Sequence, residues 1–411
     1  MPRRIVRVLL LLIVVGGIGW YLPRSGPISV NLNVNVPLPV TVHVDNPSAL
    51  PSYRQHESQH EVQEVQGLVP ASSPPQKTLS SKQLSILSSI TAFARYLDNA
   101  LDKIAIREEK FNLLPKHQKP LAEAVGYASH FEDARTRARF NAKFLGNVAD
   151  YARETYGFGP EDETNKAHWD YVFDFFGHIL RDWSEEGKHE RDTVFPPILK
   201  ALKDGMAVIK GEKRVLVPGF GLGRLAHEIA NDKDYKVDAC ELDYGSVIAY
   251  NYLVNQTITP FEHTLYPYLT NWQYQGTAKG RFDAVRFPDV LPTSPVHLIE
   301  GDFLTEFPES EQYDAIVTLF FIDVSENIID FLSNIHRLLK PGGLWINLGP
   351  LKWGSFSQMQ LSAEEVLDLA ERLGFTVDHD SRRSIDAVYG HQVGSLLKFT
   401  YVTQFWTAHK N

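Results

Sequence analysis

The feature that most constrains the fold is a glycine-rich stretch, RVLVPGFGLGRLAHEIA, at residues 214–230. It opens with a short apolar run, which is typical of a buried strand. Gly219, Gly221 and Gly223 then mark a turn, after which apolar residues recur at helical spacing. A strand, a glycine turn and a helix in this order place backbone N–H groups beside a ligand at the carboxyl edge of a sheet. The stretch therefore predicts a site for a nucleotide or nucleoside cofactor.

The glycine turn alone does not identify that cofactor. Gly221, Gly223 and Ala226 satisfy the G-x-G-x-x-A pattern of nicotinamide and flavin enzymes, and a tight turn without a ligand is a further interpretation. Glu241 closes the next apolar run, residues 236–240. An acidic residue at this point of the chain is placed to meet ribose hydroxyls. Glu241 therefore favours a ribose-containing cofactor over an empty turn.

Composition narrows the classes of partner. The 411 residues carry a formal net charge of -9, and no basic stripe stands out in the folded part. We therefore do not expect nucleic acid as a partner. The single cysteine, Cys240, excludes an intrachain disulfide and a metal site built from cysteines.

The N-terminus differs from the rest of the chain. Three arginines precede an apolar run from residue 8 to residue 22. With its flanking apolar residues the run reaches about 18 residues, the lower limit for a membrane-spanning helix. We expect residues 1–22 to be an uncleaved membrane anchor, with a cleaved signal peptide as the alternative interpretation. The expected location is therefore at a membrane, and a cytoplasmic protein is the alternative.

The remaining chain divides by composition and periodicity. Residues 23–80 are rich in Pro, Ser, Gln, Val and His, and predict a low-order tether. Residues 81–205 carry apolar side chains at helical spacing and predict a helical domain. Residues 206–411 alternate strands and helices, which predicts a mostly parallel sheet. An aromatic and proline-rich insertion, residues 257–297, interrupts this alternation and predicts either a lid or core packing.

Sequence blocks after the glycine turn carry a specific resemblance. In LLKPGG, residues 338–343, we expect a helix to end at Lys340, since Pro341 cannot continue it. Together with VPGFGLGR, EGDF and YDAI, this block resembles the class I S-adenosylmethionine-dependent methyltransferases. The blocks RDWSEEGKHERD, FFIDVSENIIDF and WINLGPL narrow the resemblance to the carnosine N-methyltransferase family. A dehydrogenase fingerprint explains none of these later blocks.

The resemblance implies an α/β fold of the class I methyltransferase (Rossmann-like) type, with an N-terminal helical domain and S-adenosyl-L-methionine as cofactor. Glu241 is implied to bind the ribose hydroxyls, whereas Asp302 and Phe303 are implied to bind adenine through a carboxylate and a ring face. The complete implied set of cofactor contacts is Arg181, Gly219, Gly221, Gly223, Glu241, Asp302, Phe303 and Leu319.

The resemblance also implies methyl transfer to an imidazole nitrogen of carnosine or a similar histidine-containing peptide. Asp323, at the end of YDAIVTLFFID, matches the acid that contacts the imidazole, and Tyr401 matches a substrate-side tyrosine. A carboxylate that accepts from one ring N–H fixes the tautomer and leaves the other nitrogen free to attack.

Two positions depart from the family pattern. His178 stands where the family often has Gln, and Gly354 follows Trp353 where the family has a histidine that helps to hold the substrate. The second departure leaves other acceptors open, namely a related imidazole dipeptide or a histidine in a protein. A membrane-tethered scaffold that binds the cofactor without turnover is a further alternative. A homodimer is compatible with the sequence.

Overall fold

The computed structural model describes residues 79–164, 167, 169–293 and 295–411. The expected anchor, residues 1–22, and the tether up to residue 78 lie outside these ranges. Within them, no helix combines the length and the apolar character needed to cross a membrane.

In the described part of the chain, six helices precede the first strand. They are α1 (Ser81–Ala94), α2 (Tyr96–Asn112), α3 (Lys119–Ala124), α4 (Ser129–Tyr156), α5 (Asp170–Trp183) and α6 (Lys188–Gly205). α1 begins at a capping box, in which Ser80 and Gln83 each accept the other's backbone N–H through a side-chain oxygen. These helices occupy the segment predicted as helical, and its independence as a domain stays a prediction.

After α6, strands and helices alternate as predicted. They are β1 (Lys213–Pro218), α7 (Arg224–Ala230), β2 (Tyr235–Glu241), α8 (Tyr244–Gln256), β3 (His263–Leu265), β4 (Val285–Phe287), β5 (Val296–Glu300), β6 (Tyr313–Leu319), α9 (Ile328–Leu338), β7 (Leu339–Gly349), α10 (Ala363–Arg372), β8 (Phe375–Val388) and β9 (Thr400–Lys410). One sheet has the order β5-β2-β1-β6-β7-β9-β8. Its first five strands run parallel, and β9 is antiparallel to both β7 and β8. This mostly parallel sheet confirms the predicted class I methyltransferase fold.

The helix before the PGG turn is shorter than predicted. α9 ends at Leu338 rather than at Lys340, and β7 begins at Leu339, which pairs with Tyr313 of β6. The prediction was wrong because a proline also disfavours the helical conformation of the residue before it. Lys340, like Pro341, therefore lies outside the helix.

The insertion is built around the small antiparallel sheet of β3 and β4, and its last two residues, 296 and 297, already belong to β5. Its aromatic side chains pack inward. Phe287 is fully buried, and the Trp272 ring stacks on Phe131 of α4 with 5.2 Å between the ring centroids. These contacts favour core packing over a lid for these two side chains.

The sheet order defines where a ligand can bind. From β1 the chain proceeds to β2 and β5 on one side, and then to β6 and β7 on the other side. Such a reversal between neighbouring parallel strands opens a crevice at their carboxyl ends, where ligands bind in this class of fold. The glycine turn follows β1 and Asp323 follows β6, so both lie at this edge of the sheet.

Candidate functional site

The glycine turn presents bare backbone at the carboxyl end of β1. Gly219, Gly221 and Gly223 have φ angles of 64°, 58° and 84°, in a region that residues with a Cβ rarely adopt. A Cβ on Gly219 would lie 2.2 Å from Cδ2 of Phe321, and one on Gly221 would lie 3.2 Å from Nη2 of Arg181. The backbone geometry therefore favours glycine at both positions, and the available space excludes a Cβ at position 219 unless Phe321 moves.

A cleft opens beside this turn. Its lining residues are Arg181, Asp182, Phe195, Val217, Gly219, Phe220, Leu225 and Leu319. Three of the predicted cofactor contacts, Arg181, Gly219 and Leu319, thus meet in one cleft, although they come from α5, the glycine turn and β6.

Glu241, the last residue of β2, directs its carboxylate at the turn. Oε2 accepts the Gly221 N–H at 2.9 Å, and Oε1 accepts the N–H groups of Leu242 and Asp243 at 2.9 Å each. Burial raises the pKa of Glu241 to about 7, although these three N–H donors act in the opposite direction. These bonds use both lone pairs of Oε1 and one of Oε2, so Oε2 can accept one further hydrogen bond, from a ribose hydroxyl.

Asp302 and Phe303 follow β5 and differ in exposure. Oδ1 of the partly exposed Asp302 accepts the Leu304 N–H at 2.9 Å. The Phe303 ring is buried, with edge contacts to the rings of Phe307, Phe321 and Phe331. The structure therefore brings the Asp302 carboxylate to the surface and packs the Phe303 ring in the core, so the predicted ring contact with adenine stays a prediction.

Arg181 reaches the cleft from the C-terminal end of α5, paired with its neighbour. Its Nε donates to Oδ1 of Asp182 at 2.7 Å, and its Nη2 donates to Oδ2 at 3.3 Å. Burial alone would lower the pKa of Arg181, but the charge and the hydrogen bond of Asp182 raise it above its ordinary value. The cleft therefore holds a permanent cation.

Behind Arg181, a buried ion-pair network joins α5, α6, α7 and the insertion. Asp289 accepts from Arg191 at 2.5 Å and from Arg224 at 2.6 Å, and the side chains of all three are buried. Arg224 also donates to the carbonyl oxygen of Asp182 at 2.9 Å, and Arg191 donates to that of Arg181 at 2.5 Å. The network fixes the backbone of Arg181 and Asp182 against the helix that follows the glycine turn.

His178 lies one turn before Arg181 on α5. Its Nδ1 is buried and has no hydrogen-bond partner among the residues that the structure describes. Burial, with a further contribution from the Arg181 charge, lowers the pKa of His178 to about 4, so the ring is neutral at neutral pH. The neutral ring therefore places beside Arg181 a nitrogen that has no partner in the described part of the chain.

Asp323 occupies the other side of the crevice, in the short 3-10 helix Ile322–Val324 after β6. Its side chain is only 5% exposed, and Oδ2 accepts the Lys352 N–H at 2.6 Å. Burial raises the pKa of Asp323 above its usual range, against the effect of the Lys352 N–H. The result is a buried carboxylate with increased basicity at the carboxyl end of β6.

Three aromatic rings connect Asp323 with the cleft. Phe320, Tyr389 and Tyr401 contact one another, with 5.5 to 6.1 Å between ring centroids. The Arg181 guanidinium lies 6.0 Å from the Tyr389 centroid, and burial, with a contribution from the Asp323 charge, raises the pKa of Tyr401. Phe320 has a φ of 52°, a strained value that persists where the surrounding structure enforces it and that is frequent at functional sites.

Sequence reasoning assigned no role to two residues of this site. Asp182 is the partner of Arg181, and Tyr389 provides the ring beside Arg181. The pair RD in RDWSEEG is the one signal that pointed to Asp182, and nothing in the local pattern around Tyr389 marks it as part of a site.

The position that departs from the family pattern is crowded. A Cβ on Gly354 would lie 2.3 Å from Cε1 of Phe356, so a larger residue at 354 would require Phe356 to move. Trp353, the preceding residue, donates its indole N–H to the Leu361 carbonyl oxygen at 2.7 Å. The structure thus offers no histidine at this point of the site.

Comparisons with known proteins identify the family to which the chain is similar. A family model described as carnosine N-methyltransferase matches residues 160–411. The mouse carnosine N-methyltransferase is 28% identical over 345 residues, covering 78% of this chain and 84% of the mouse protein. The carnosine N-methyltransferase of Schizosaccharomyces pombe is 30% identical over 254 residues, covering 56% of this chain and 67% of its own. A solved S-adenosylmethionine-dependent methyltransferase from Aquifex aeolicus shares 18% identity, with a TM-score of 0.34, over 54% of this chain and 93% of its own.

Proposed function

The chain belongs to the carnosine N-methyltransferase family of S-adenosylmethionine-dependent methyltransferases, and on this premise we propose that it methylates an imidazole nitrogen of carnosine or a similar histidine-containing peptide. The observation that carries the proposal is Asp323, a buried carboxylate at the sheet edge that also bears the glycine turn. The aromatic group of Phe320, Tyr389 and Tyr401 connects Asp323 with the cofactor cleft.

The residues around the glycine turn suit the cofactor of this family, which supplies an electrophilic methyl group on a sulfonium. The turn has no side chains at positions 219 and 221, where a Cβ would meet other atoms. We assign Glu241 to the ribose hydroxyls and Asp302 to the adenine amino group, since a carboxylate accepts from both kinds of donor. Arg181 suits the carboxylate of the amino-acid part, because a guanidinium pairs with carboxylates in a defined geometry.

Asp323 prepares the acceptor ring. An imidazole nitrogen reacts only when it is unprotonated, so the N–H must reside on the other ring nitrogen. By accepting that N–H, Asp323 holds the reactive tautomer and directs the free lone pair away from itself. Once the ring carries the methyl group it is a cation, and Asp323 is placed to take up the N–H proton that restores a neutral ring. The contribution of the remaining pocket is positioning, since methyl transfer is an in-line displacement.

The direct test is transfer of a labelled methyl group. The full chain is incubated with labelled S-adenosylmethionine and either carnosine or β-alanyl-alanine, which has no imidazole. We expect label on carnosine and none on β-alanyl-alanine. A third incubation contains a mixture of histidine-containing proteins in place of the dipeptide. If label appears only there, the chain is a protein-histidine methyltransferase, the alternative that Gly354 leaves open. Cofactor binding without any label would instead identify a scaffold without turnover.

A pH dependence of cofactor affinity follows from Glu241. With a pKa of about 7, the ionised form required to accept the ribose hydroxyls predominates at pH 8 and is a minor form at pH 6. We expect the dissociation constant of S-adenosylhomocysteine, the demethylated cofactor, to rise about 10-fold from pH 8 to pH 6. Calorimetry at both pH values checks this, with Glu241→Gln as the control. If the variant keeps the same pH dependence, another group is responsible.

Two further proposals, on membrane association and on oligomeric state, rest on the sequence alone. Membrane association through residues 1–22 is supported by the three arginines that precede the apolar run. For the oligomeric state, we propose a homodimer, which is compatible with the sequence.

A further inference from the structure

We propose that Asp182 is a positioning residue for cofactor binding, which holds the guanidinium of Arg181 and the Leu222 peptide of the glycine turn in place. The inference rests on the proposed role of Arg181 as a cofactor contact. It concerns a residue that does not itself need to touch the cofactor.

The first observation is that the Asp182 carboxylate binds both the Arg181 guanidinium and the glycine turn. The two oxygens accept from two different nitrogens of Arg181, Nε at 2.7 Å and Nη2 at 3.3 Å. A two-point contact of this kind fixes the plane of the guanidinium as well as its position. Oδ2 also accepts the N–H of Leu222 at 3.2 Å, 40 residues further along the chain. One carboxylate thus couples the cation to the glycine turn.

The second step is that Asp182 leaves Arg181 able to bind a ligand. A guanidinium has five N–H donors, and Asp182 engages one on Nε and one on Nη2. Among the residues that the structure describes, the two donors on Nη1 and the second donor on Nη2 have no hydrogen-bond partner. Nη2 lies 3.2 Å from the position of a Cβ on Gly221, so the guanidinium lies directly against the bare part of the turn.

The third step concerns the rigidity of Asp182 itself. It is 3% exposed, and its carbonyl oxygen accepts from Arg224, which in turn pairs with the buried side chain of Asp289. The neighbouring Trp183 donates its indole N–H to the Leu222 carbonyl oxygen at 2.7 Å. Asp182 and Trp183 therefore bind both backbone polar groups of Leu222. Because Asp182 also binds the Arg181 guanidinium, the position of that guanidinium is fixed relative to the glycine turn.

Titration calorimetry with S-adenosylhomocysteine tests the proposal in a double-mutant cycle of Asp182→Asn and Arg181→Gln. We expect Asp182→Asn to weaken binding about 10- to 100-fold, as loss of a residue that orients a ligand-binding group does. Its KM for S-adenosylmethionine should rise in parallel, with kcat changed less than about 3-fold. In the Arg181→Gln background the same substitution should cost less than about 3-fold, because its target is gone.

Asp314→Asn is the matched control. Asp314 is also buried and also accepts a backbone N–H, from Arg214 at 2.8 Å, and a cation, Lys340 at 2.8 Å. Its replacement should lower the unfolding temperature without changing the affinity for S-adenosylhomocysteine. This separates loss of a buried aspartate from loss of a positioning residue.

If Asp182→Asn does not fold, Arg181→Lys provides a second test of the proposal. Lysine keeps the charge but cannot make the two-point contact, so its affinity should fall nearly as far as that of Arg181→Gln. Wild-type affinity of Arg181→Lys would overturn the proposal. An unchanged affinity of Asp182→Asn, or an equal cost of that substitution in both backgrounds, would overturn it as well. If the unaltered protein does not bind S-adenosylhomocysteine at all, the proposed function fails, and with it the inference.

Discussion

Replacement of Asp323 by asparagine is expected to lower kcat by about 100- to 10,000-fold, with the affinity for S-adenosylhomocysteine changed less than about 2-fold. The amide keeps the size of the carboxylate, and its oxygen can still accept the Lys352 N–H that Oδ2 accepts at 2.6 Å. Its other group is a donor, however, and faces the ring N–H as a second donor. The reactive tautomer is then no longer favoured, and no base takes up the proton.

Steady-state kinetics with carnosine and calorimetry with S-adenosylhomocysteine together check this prediction. Asp314→Asn again serves as the control, because it removes a buried carboxylate on β6 at a distance from the crevice. The control should retain turnover. An equal loss of turnover and cofactor affinity in Asp323→Asn would remove the catalytic role of Asp323.

Replacement of Gly219 by alanine is expected to weaken S-adenosylhomocysteine binding at least about 100-fold. The loss of binding free energy has two sources, strain in the backbone of the turn and a steric clash of the new Cβ. Gly219 has a φ of 64°, and the new Cβ would lie 2.2 Å from Cδ2 of Phe321. Phe321 stacks on Phe331 with 5.1 Å between centroids and contacts Phe303 edge-on, so it has little freedom to retreat. The backbone of the turn must therefore move, and the cofactor surface moves with it.

Gly342→Ala separates the two causes. Gly342 has a φ of 73°, close to that of Gly219, but nothing lies within 4 Å of a Cβ at this position. This control should lose about 1 kcal/mol of stability from the left-handed backbone conformation and retain its cofactor affinity. Calorimetry and thermal unfolding on both variants measure the difference. Unchanged affinity of Gly219→Ala would show that the turn does not form the cofactor surface.

Local patterns allowed the glycine turn, the strands around it and the acids at strand ends to be predicted. Gly219, Gly221 and Gly223 could be assigned to a turn because glycine adopts positive φ angles without the steric cost that a Cβ brings, and all three do so after β1. Glu241 could be located from its spacing after the glycine turn. It accepts the Gly221 N–H because β1 and β2 are neighbouring strands, so the ends of both strands lie close together. These features depend on residues within one β-α-β unit.

Contacts between distant segments could not be predicted in the same way. Asp182 contacts Leu222 across 40 residues, and Tyr389 comes from the chain between β8 and β9. β8 itself alternates only weakly, because many of its side chains are charged and exposed and its pairing with β9 shifts register between Asp378 and Arg383. Phe303 shows the same limit, since the phenylalanines that bury its ring lie 4 to 28 residues away in the sequence.

The most direct measurement is a crystal structure of the protein with S-adenosylhomocysteine and carnosine bound. We expect the nucleoside to lie against the glycine turn, with its ribose hydroxyls on Glu241 and its sulfur facing the aromatic group of Phe320, Tyr389 and Tyr401. One imidazole nitrogen should lie within hydrogen-bond distance of Asp323, and the other should face the sulfur. An imidazole bound away from Asp323, or a cofactor bound elsewhere than beside the turn, would contradict the account.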